Sequence, residues 1–346
     1  MASATSAPNP DAPPAPAHGS GGGGVGAIFA LARAFGRRLL VAAATVCAVS
    51  ALVFVAIEIV PIDPALHALG RESTPEQRAQ FRERMGLNAP PVQRYLRWAG
   101  RMVQGDFGTS VMSGRPVGPQ LGQRLKYTAI LGLLALAFSV VIGLPLAIWA
   151  ARHRESGLDL GLSVSAISIT SVPEFVLALV VLLIGASTLH LFPVTSAAIA
   201  KGKLEALVLP TVTLTLAATA YIFRLARVSI IETLAAPYVR TAILNGFSPA
   251  RILWRHVLPN AGAVIINVVA LNAIFLLSGV IVIENVFAYP GIGTLMVQAI
   301  EAKDLPIVEA VAVVTATLLV TINLIADAVV LLAVPRLRTR ASGGRR

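Results

Sequence analysis

Long apolar runs alternate with short polar segments along most of this chain. A helix that crosses a bilayer needs about 20 mostly apolar residues. Six runs have that length: residues 39–60, 128–151, 160–186, 204–223, 261–283 and 307–334. The pattern therefore predicts an all-α integral membrane protein with six transmembrane helices. Pro173 interrupts the third run and predicts a kink there. Pro210 and a row of threonines weaken the fourth, but neighbouring helices in a bundle can satisfy the backbone groups a proline frees. Residues 1 to about 26 are rich in Ala, Pro, Ser and Gly and include the run Gly21-Gly22-Gly23-Gly24. Such a stretch buries no core, so 1–32 reads as a disordered tail. It is not a signal peptide, because no basic start is followed at once by an apolar core. The membrane unit spans 33–338, and 339–346 is a basic tail.

Two polar segments carry structure of their own. In the loop 61–126, Thr74 is placed to cap a helix with Pro75 at its first position and Gln77 as capping-box partner, and Gly86 would stop it. Beyond Pro90-Pro91, the residues Val92, Tyr95, Leu96, Ala99 and Met102 recur at helical spacing up to Gly105 and predict an amphipathic helix whose apolar face lies on the bundle or at the membrane surface. In the segment 231–260, Pro237 opens a short helix with an apolar side of Tyr238, Val239, Ala242 and Ile243. Arg240 and Thr241 face elsewhere. Gly246 is placed to end the helix in a left-handed conformation. Ser248 then caps a second helix with Pro249 at its first position. Ile252, Leu253 and His256 form one face of it, Arg251 and Arg255 another, and Pro259 marks the turn into the fifth run. The local pattern suits either a docking surface or a helical hairpin resting on the membrane.

Composition agrees with a membrane protein. Of 346 residues, 56% are hydrophobic and 13% charged, about half the charged share usual in soluble domains; the mean hydropathy is +0.77. The net charge of +11 does not mark a nucleic-acid binder, since the basic residues sit in loops and form no aromatic-interleaved patch. Those loops orient the chain. Among the short segments, Lys and Arg divide fifteen to three in favour of the side holding both termini and residues 231–260. The positive-inside rule makes that side cytoplasmic and 61–126 external. The one cysteine, Cys47, reads as packing filler, with no disulfide or multi-cysteine metal site within reach.

Candidate chemistry is sparse. No Gly-x-x-x-x-Gly-Lys-Ser/Thr phosphate loop is present, and the Gly202-Lys203 pair is followed by Leu204. His18, His67, His153, His190 and His256 are scattered, so neither a catalytic group nor a metal site is expected. Glu58, Glu174, Glu284 and Asp327 lie in or near apolar runs, where a carboxylate is a functional candidate. Glu58 and Glu284 sit at span ends, where reaching the interface is easy, which leaves Glu174 and Asp327 as candidates for a translocation path. Asn267, Asn272 and Asn323 read as interhelical hydrogen-bonders. An ion-coupled transporter using Glu174 or Asp327, or a membrane scaffold whose loop recruits a partner, would fit these features too.

Residues 238–260 resemble the EAA loop of ABC-importer permeases: Glu-Ala-Ala, three residues, Gly, nine residues, Ile, one residue, Leu-Pro. Here Arg240-Thr241-Ala242, Gly246, His256 and Leu258-Pro259 occupy those positions. Arg-Thr-Ala and the Arg255-His256 pair are similar to the dipeptide and oligopeptide branch, although Leu244-Asn245 stand where that branch usually has Ala-Lys. The likeness extends from about residue 36 to 338. Val60-Pro61-Ile62-Asp63-Pro64, Gly105-Asp106-Phe107-Gly108-Thr109-Ser110 with Pro116-Val117, Glu284-Asn285-Val286-Phe287-Ala288-Tyr289-Pro290-Gly291-Ile292-Gly293 and Pro335-Arg336-Leu337-Arg338 resemble its other motifs in the same order. Ile62 replaces a Gly and Val334 an Asp. The resemblance implies a type I ABC importer permease with a structured periplasmic loop after the first helix, in a bacterial inner membrane with both termini cytoplasmic. It implies a second permease (a paralogue by preference), two cytoplasmic ATPases that use ATP and Mg, a periplasmic or lipid-anchored solute-binding protein and surrounding membrane lipid. No cofactor is expected on this chain. The implied solute is a di- or oligopeptide, with nickel, glutathione, an opine, a sugar or another small solute as variants within related systems. Tyr238, Arg240, Thr241, Ala242, Gly246, Ser248, Arg251, Arg255, His256, Leu258 and Pro259 would form the ATPase-coupling loop.

Overall fold

The computed structural model describes residues 23–59, 69–70, 72–84, 86 and 88–333. The expected motifs at 60–64 and 335–338, most of the tail 1–32 and the basic tail 339–346 lie outside the described residues. Helices α1 (Gly23–Ile59), α2 (Pro75–Arg84), α3 (Pro91–Val103), α4 (Val117–Arg152), α5 (Gly157–Ser171), α6 (Glu174–Leu182), α7 (Val208–Leu234), α8 (Pro237–Leu244), α9 (Pro249–Ile252), α10 (Leu258–Val286), α11 (Ile292–Glu301) and α12 (Leu305–Ala333) follow one another, with no strand among the described residues. Among the described residues, five helical stretches are long and apolar enough to span a membrane, and a bent pair, taken as one span, makes the sixth.

The boundaries differ from the sequence reading in instructive ways. The first helix begins at Gly23, inside the stretch expected to be tail, because residues 25–32 are mostly apolar and continue the helical run. The second span starts at Val117, well before residue 128. The fourth runs to Leu234, so 231–234 are its last turn and not loop. The third is the largest correction: α5 and α6 meet at 107°. Val172 is extended, with φ −89° and ψ 131°, the conformation a following proline imposes. Pro173 then starts the second half.

The fourth span is the hub, packed against the second, third and fifth, while the first lies along the sixth. Close approach of the second and fourth requires Gly143: a Cβ there would sit 3.2 Å from Ile222 Cγ2 and 3.4 Å from the Thr219 carbonyl. Asn272 donates across to the Ala218 carbonyl at 3.3 Å. Asn323 instead bonds Leu319 on its own helix, and Asn267 is exposed, so only Asn272 bridges helices. Cys47 is exposed and fills no interior gap.

At the end bearing residues 72–116, the capping box forms as expected. Thr74 N–H donates to Gln77 Oε1 at 2.9 Å, and Gln77 N–H donates to Thr74 Oγ1 at 3.3 Å. Helix α3 docks on the first span through Tyr95 and Trp98, whose rings sit 5.4 and 6.0 Å from Phe54. Arg94 pairs with Glu58 at 2.9 Å. The expected single apolar face of α3 is split, because Val92 and Leu96 point away and are exposed.

Candidate functional site

At the opposite end, the chain between the fourth and fifth spans folds into a helical hairpin. Pro237 starts α8, where its missing N–H has no partner to lose. The helix ends in a Schellman turn: Phe247 N–H bonds the Ala242 carbonyl at 3.2 Å and Gly246 N–H the Ile243 carbonyl at 3.0 Å. Gly246 takes φ +75°, the left-handed conformation this turn requires. The Ser248 hydroxyl accepts from Arg251 N–H at 3.4 Å to open α9.

The second helix does not stop at Pro259. It passes through a wide turn at Leu253–Val257 into α10, so one helical stretch runs from Pro249 to Val286. Pro259 lacks the N–H that an α-helix would use at that point, and its ring crowds the preceding turn. In the wide turn Leu258 N–H bonds the Leu253 carbonyl, five residues back, which admits the proline without breaking the helix.

Each short helix has one buried and one exposed side. Val239, Ala242, Ile252, Leu253 and Val257 are buried against Ala147, Ala150, Phe223, Ala226 and Ile230 of the second and fourth spans. Tyr238 and Ile243, expected on the buried side, are exposed, because Val239 and Ala242 alone face the bundle. Leu244, Phe247 and Trp254 are exposed too, at 80%, 38% and 69%. Arg240, Thr241, Ser248, Arg251, Arg255 and Pro259 lie on the outer surface, with His256 and Leu258 half-buried. A stack fixes the corner: Phe247 lies parallel to His256 at 5.9 Å, and the Arg251 guanidinium sits 5.5 Å from the Phe247 centroid. Sequence reasoning did not single out Phe247.

Two charged knots brace the bundle, and neither was foreseen. Near the hairpin, Asp159 at the start of α5 receives a two-pronged bond from Arg227 of the fourth span, Nε to Oδ1 and Nη2 to Oδ2, both 2.6 Å. The Glu155 N–H adds a third bond to Asp159 at 3.1 Å. The Asp159 side chain is only 4% exposed and that of Arg227 21%. Breaking a buried pair from one side costs about 3 kcal/mol or more, because the other charge stays buried alone. Asp159→Asn should therefore lower the thermal unfolding midpoint by several degrees, while the double variant Asp159→Leu, Arg227→Met recovers most of the loss; no recovery would contradict the pairing.

At the far end of the fifth span, Glu284 is fully buried, contrary to the expectation that it reaches the interface. The chain folds back over it through a corner where Ala288 takes φ +48°. Thr128 Oγ1 donates to Glu284 Oε1 at 2.5 Å, and Gly293 N–H to Oε2 at 2.6 Å. Thr128 also accepts from Ile292 N–H at 2.9 Å. The carboxylate thus satisfies the first turn of α11, where N–H groups are open and negative charge is favoured. Tyr289 donates to the Tyr127 carbonyl at 2.9 Å, and burial, more than the nearby Glu284 charge, pushes its phenol pKa up. Asp304 plays a similar part between α11 and α12, accepting from the Ser110 hydroxyl and, at 3.2 Å, from Val111 N–H.

The two path candidates lie apart. Glu174 is half-buried at the bend in the third span, its carboxylate against the backbone of Gly279, where an added Cβ would lie 2.5 Å from Oε2. Asp327 is half-exposed near the hairpin end and 2.7 Å from Arg38 Nη1. Among the described residues, no group of three His, Cys, Asp or Glu side chains gathers as a metal ion would need.

Comparison with known proteins follows this division of the chain. The family described as binding-protein-dependent transport system inner membrane component matches residues 143–339, and the N-terminal part of the same membrane component matches 31–140. A probable peptide ABC transporter permease of Sinorhizobium fredii is 36% identical over 307 residues, 87% of this chain and 98% of that one. The oligopeptide transport system permease AppB of Bacillus subtilis is 31% identical over 308 residues, with the same coverage of 87% and 98%. An inward-facing structure of the MetNI methionine ABC transporter aligns with a TM-score of 0.51 at 20% identity, over 62% of this chain and 96% of that one; at this identity the likeness is one of fold.

Proposed function

Because the chain belongs to the family of binding-protein-dependent transport system inner membrane components, we propose that it forms half of a path for di- or oligopeptides across the bacterial inner membrane, driven by separate ATPase chains that hold the hairpin after its fourth span. Its place is multi-pass in that membrane, and we infer that both termini and the hairpin are cytoplasmic, as the distribution of basic loop residues suggests.

The observation that carries this reading is the two-sidedness of the hairpin. Val239, Ala242, Ile252, Leu253 and Val257 root it in the bundle, while Ile243, Leu244, Phe247 and Trp254 stand exposed among Arg240, Arg251 and Arg255. An apolar crest with a basic rim, facing water, is what a protein partner covers. Roots in the second and fourth spans carry any displacement of the crest into the membrane. The chain holds no phosphate-binding loop, which supports hydrolysis by two partner ATPases with their own ATP and Mg. The likeness to peptide and oligopeptide permeases supports a peptide cargo, and a second permease together with an outer solute-binding protein completes the assembly. Nucleotide binding by the ATPases biases the bundle between inward and outward access.

The experiment is uptake of a labelled dipeptide and a labelled pentapeptide into vesicles holding the chain with its partner permease, ATPases and binding protein. ATP inside the ATPase-facing compartment should drive uptake that a protonophore leaves unchanged. Uptake that the protonophore abolishes would instead favour proton coupling through Glu174 or Asp327.

A further inference from the structure

The end opposite the hairpin holds a cleft of about 530 Å³ that coupling to an ATPase does not use. It lies between the last turns of the first span, helix α3 and the corner that opens the sixth span, and both cations and aromatic rings line it, among them Arg97, Arg101, Lys303, Phe54 and Phe107.

Helix α3 sorts its side chains onto three faces at 100° per residue. Tyr95 and Trp98 face the first span, their rings around Phe54, while Met102 packs on the cluster shared by the second and sixth spans and α11. Arg94, Arg97 and Arg101 share the cleft side. Val92, Leu96 and Val103 are exposed, Val103 at 90%. An exposed apolar stripe on a helix docked against two membrane spans belongs at the edge of a bilayer, where its basic side reaches headgroup level.

The charges are unevenly matched. Arg94 is committed to Glu58. Arg97, Arg101 and Lys303 make no ion pair among the described residues. Of the cleft carboxylates, Asp106 accepts from Gly108 N–H at 2.9 Å, and Glu309 of the sixth span lies beside Trp98 in the field of Arg94 and Arg101. Of the charged residues lining the cleft, Arg94, Arg97, Arg101 and Lys303 outnumber Asp106 and Glu309, and with Arg94 held by Glu58 the cleft keeps an excess of positive charge that suits a phosphodiester. The backbone is arranged for these cations. At the α2–α3 corner Gly86 has φ +64°, and a Cβ there would lie 3.1 Å from Arg97 Nη1. Lys303 itself has φ +55°, a left-handed conformation that favours glycine, so a lysine is held where the fold alone would be easier without one.

We propose that this cleft binds the headgroup of an anionic phospholipid, its phosphodiester between Arg97, Arg101 and Lys303 and its glycerol backbone over the Phe54 and Phe107 rings. The site ties the outer helices to the bilayer, independently of whether the hairpin engages an ATPase.

The chain has three tryptophans, so replacing Trp149 and Trp254 with phenylalanine leaves Trp98 as the sole reporter at the cleft wall. The full chain with these changes, delipidated in neutral detergent, is titrated with brominated phosphatidylglycerol or brominated phosphatidylcholine. Phosphatidylglycerol should half-quench Trp98 at a mole fraction about tenfold lower, as expected for several basic residues near one headgroup. Lys303→Gly should weaken that preference without lowering the thermal unfolding midpoint, and Arg97→Gln with Arg101→Gln should erase it. Equal quenching by both lipids, or full preference in the Arg97→Gln, Arg101→Gln variant, overturns the proposal. Release of the quench by inorganic phosphate or polyglutamate at matched charge reassigns the cleft to a soluble anion or an acidic protein segment and overturns it equally.

Discussion

Gly246→Val should leave the protein inserted and folded in the membrane yet cut ATP-driven uptake by tenfold or more. Nothing lies within 4 Å of a Cβ built at Gly246, so steric collision plays no part. The whole effect is backbone. At φ +75° an L residue loses about 1–2 kcal/mol, and a β-branched one sits at the upper end. That energy is gained back if the corner abandons the left-handed turn, which opens the Schellman bonds to Ala242 and Ile243 and separates Phe247 from His256. The two short helices then no longer keep the angle at which a partner would meet them. Gly246→Asn provides the control, since asparagine tolerates this conformation. It should retain most uptake. Normal uptake by the valine variant would sink the idea that the corner transmits force.

A different failure is expected at the other end of the molecule. Gly291→Ala should prevent the chain from accumulating in folded form. The added methyl would coincide with the Glu284 carboxylate, which is locked by Thr128 and Gly293 and has no room to retreat. Overpacking of this kind costs about 1–3 kcal/mol and occasionally more. Displacing the carboxylate adds roughly 1–3 kcal/mol for each buried partner left without a bond. Size-exclusion profiles after detergent extraction would show an aggregated or absent peak. Combining Gly291→Ala with Glu284→Ala should restore part of the monodisperse fraction, because the methyl then enters vacated space. A stable single variant would mean that the corner from Ala288 to Gly293 can move as a unit.

These two sites show what a sequence can disclose. The hairpin was legible because its signals are local. Pro237, Gly246, Ser248 and Pro249 each act within a turn of themselves, and no distant contact overrides them. The sides of the short helices were less legible, since Ile243 and the ring of Tyr238 offer apolar surface as Val239 does and only the position of the second and fourth spans decides which is covered. Glu284 was read as an interfacial residue by counting along the fifth span. Its burial depends on Thr128, 156 positions away, and on a fold-back that no periodicity announces. Asp159 and Arg227, 68 positions apart, were invisible for the same reason. The third span was found, but not its angle. Val172-Pro173 specifies a break, whereas the 107° turn reflects how Leu177 and Ala178 seat against the bundle and how Gly185 lets Leu209 approach, a Cβ there falling 2.5 Å from Leu209 Cδ2.

The wide turn at Leu253–Val257 has a mechanical consequence. It joins α9 to α10 without a loop, so a single rod of 38 residues, roughly 57 Å at about 1.5 Å per residue, extends from the hairpin to the Glu284 knot. A rod clamped at one extremity swings when pushed at the other. Displacement at Trp254 is then greatest near the hairpin, falls steadily past Asn267, and vanishes close to Glu284. Under the proposed coupling, the fifth span would act as a hand on a dial, with the Thr128–Glu284–Gly293 cluster as its pivot.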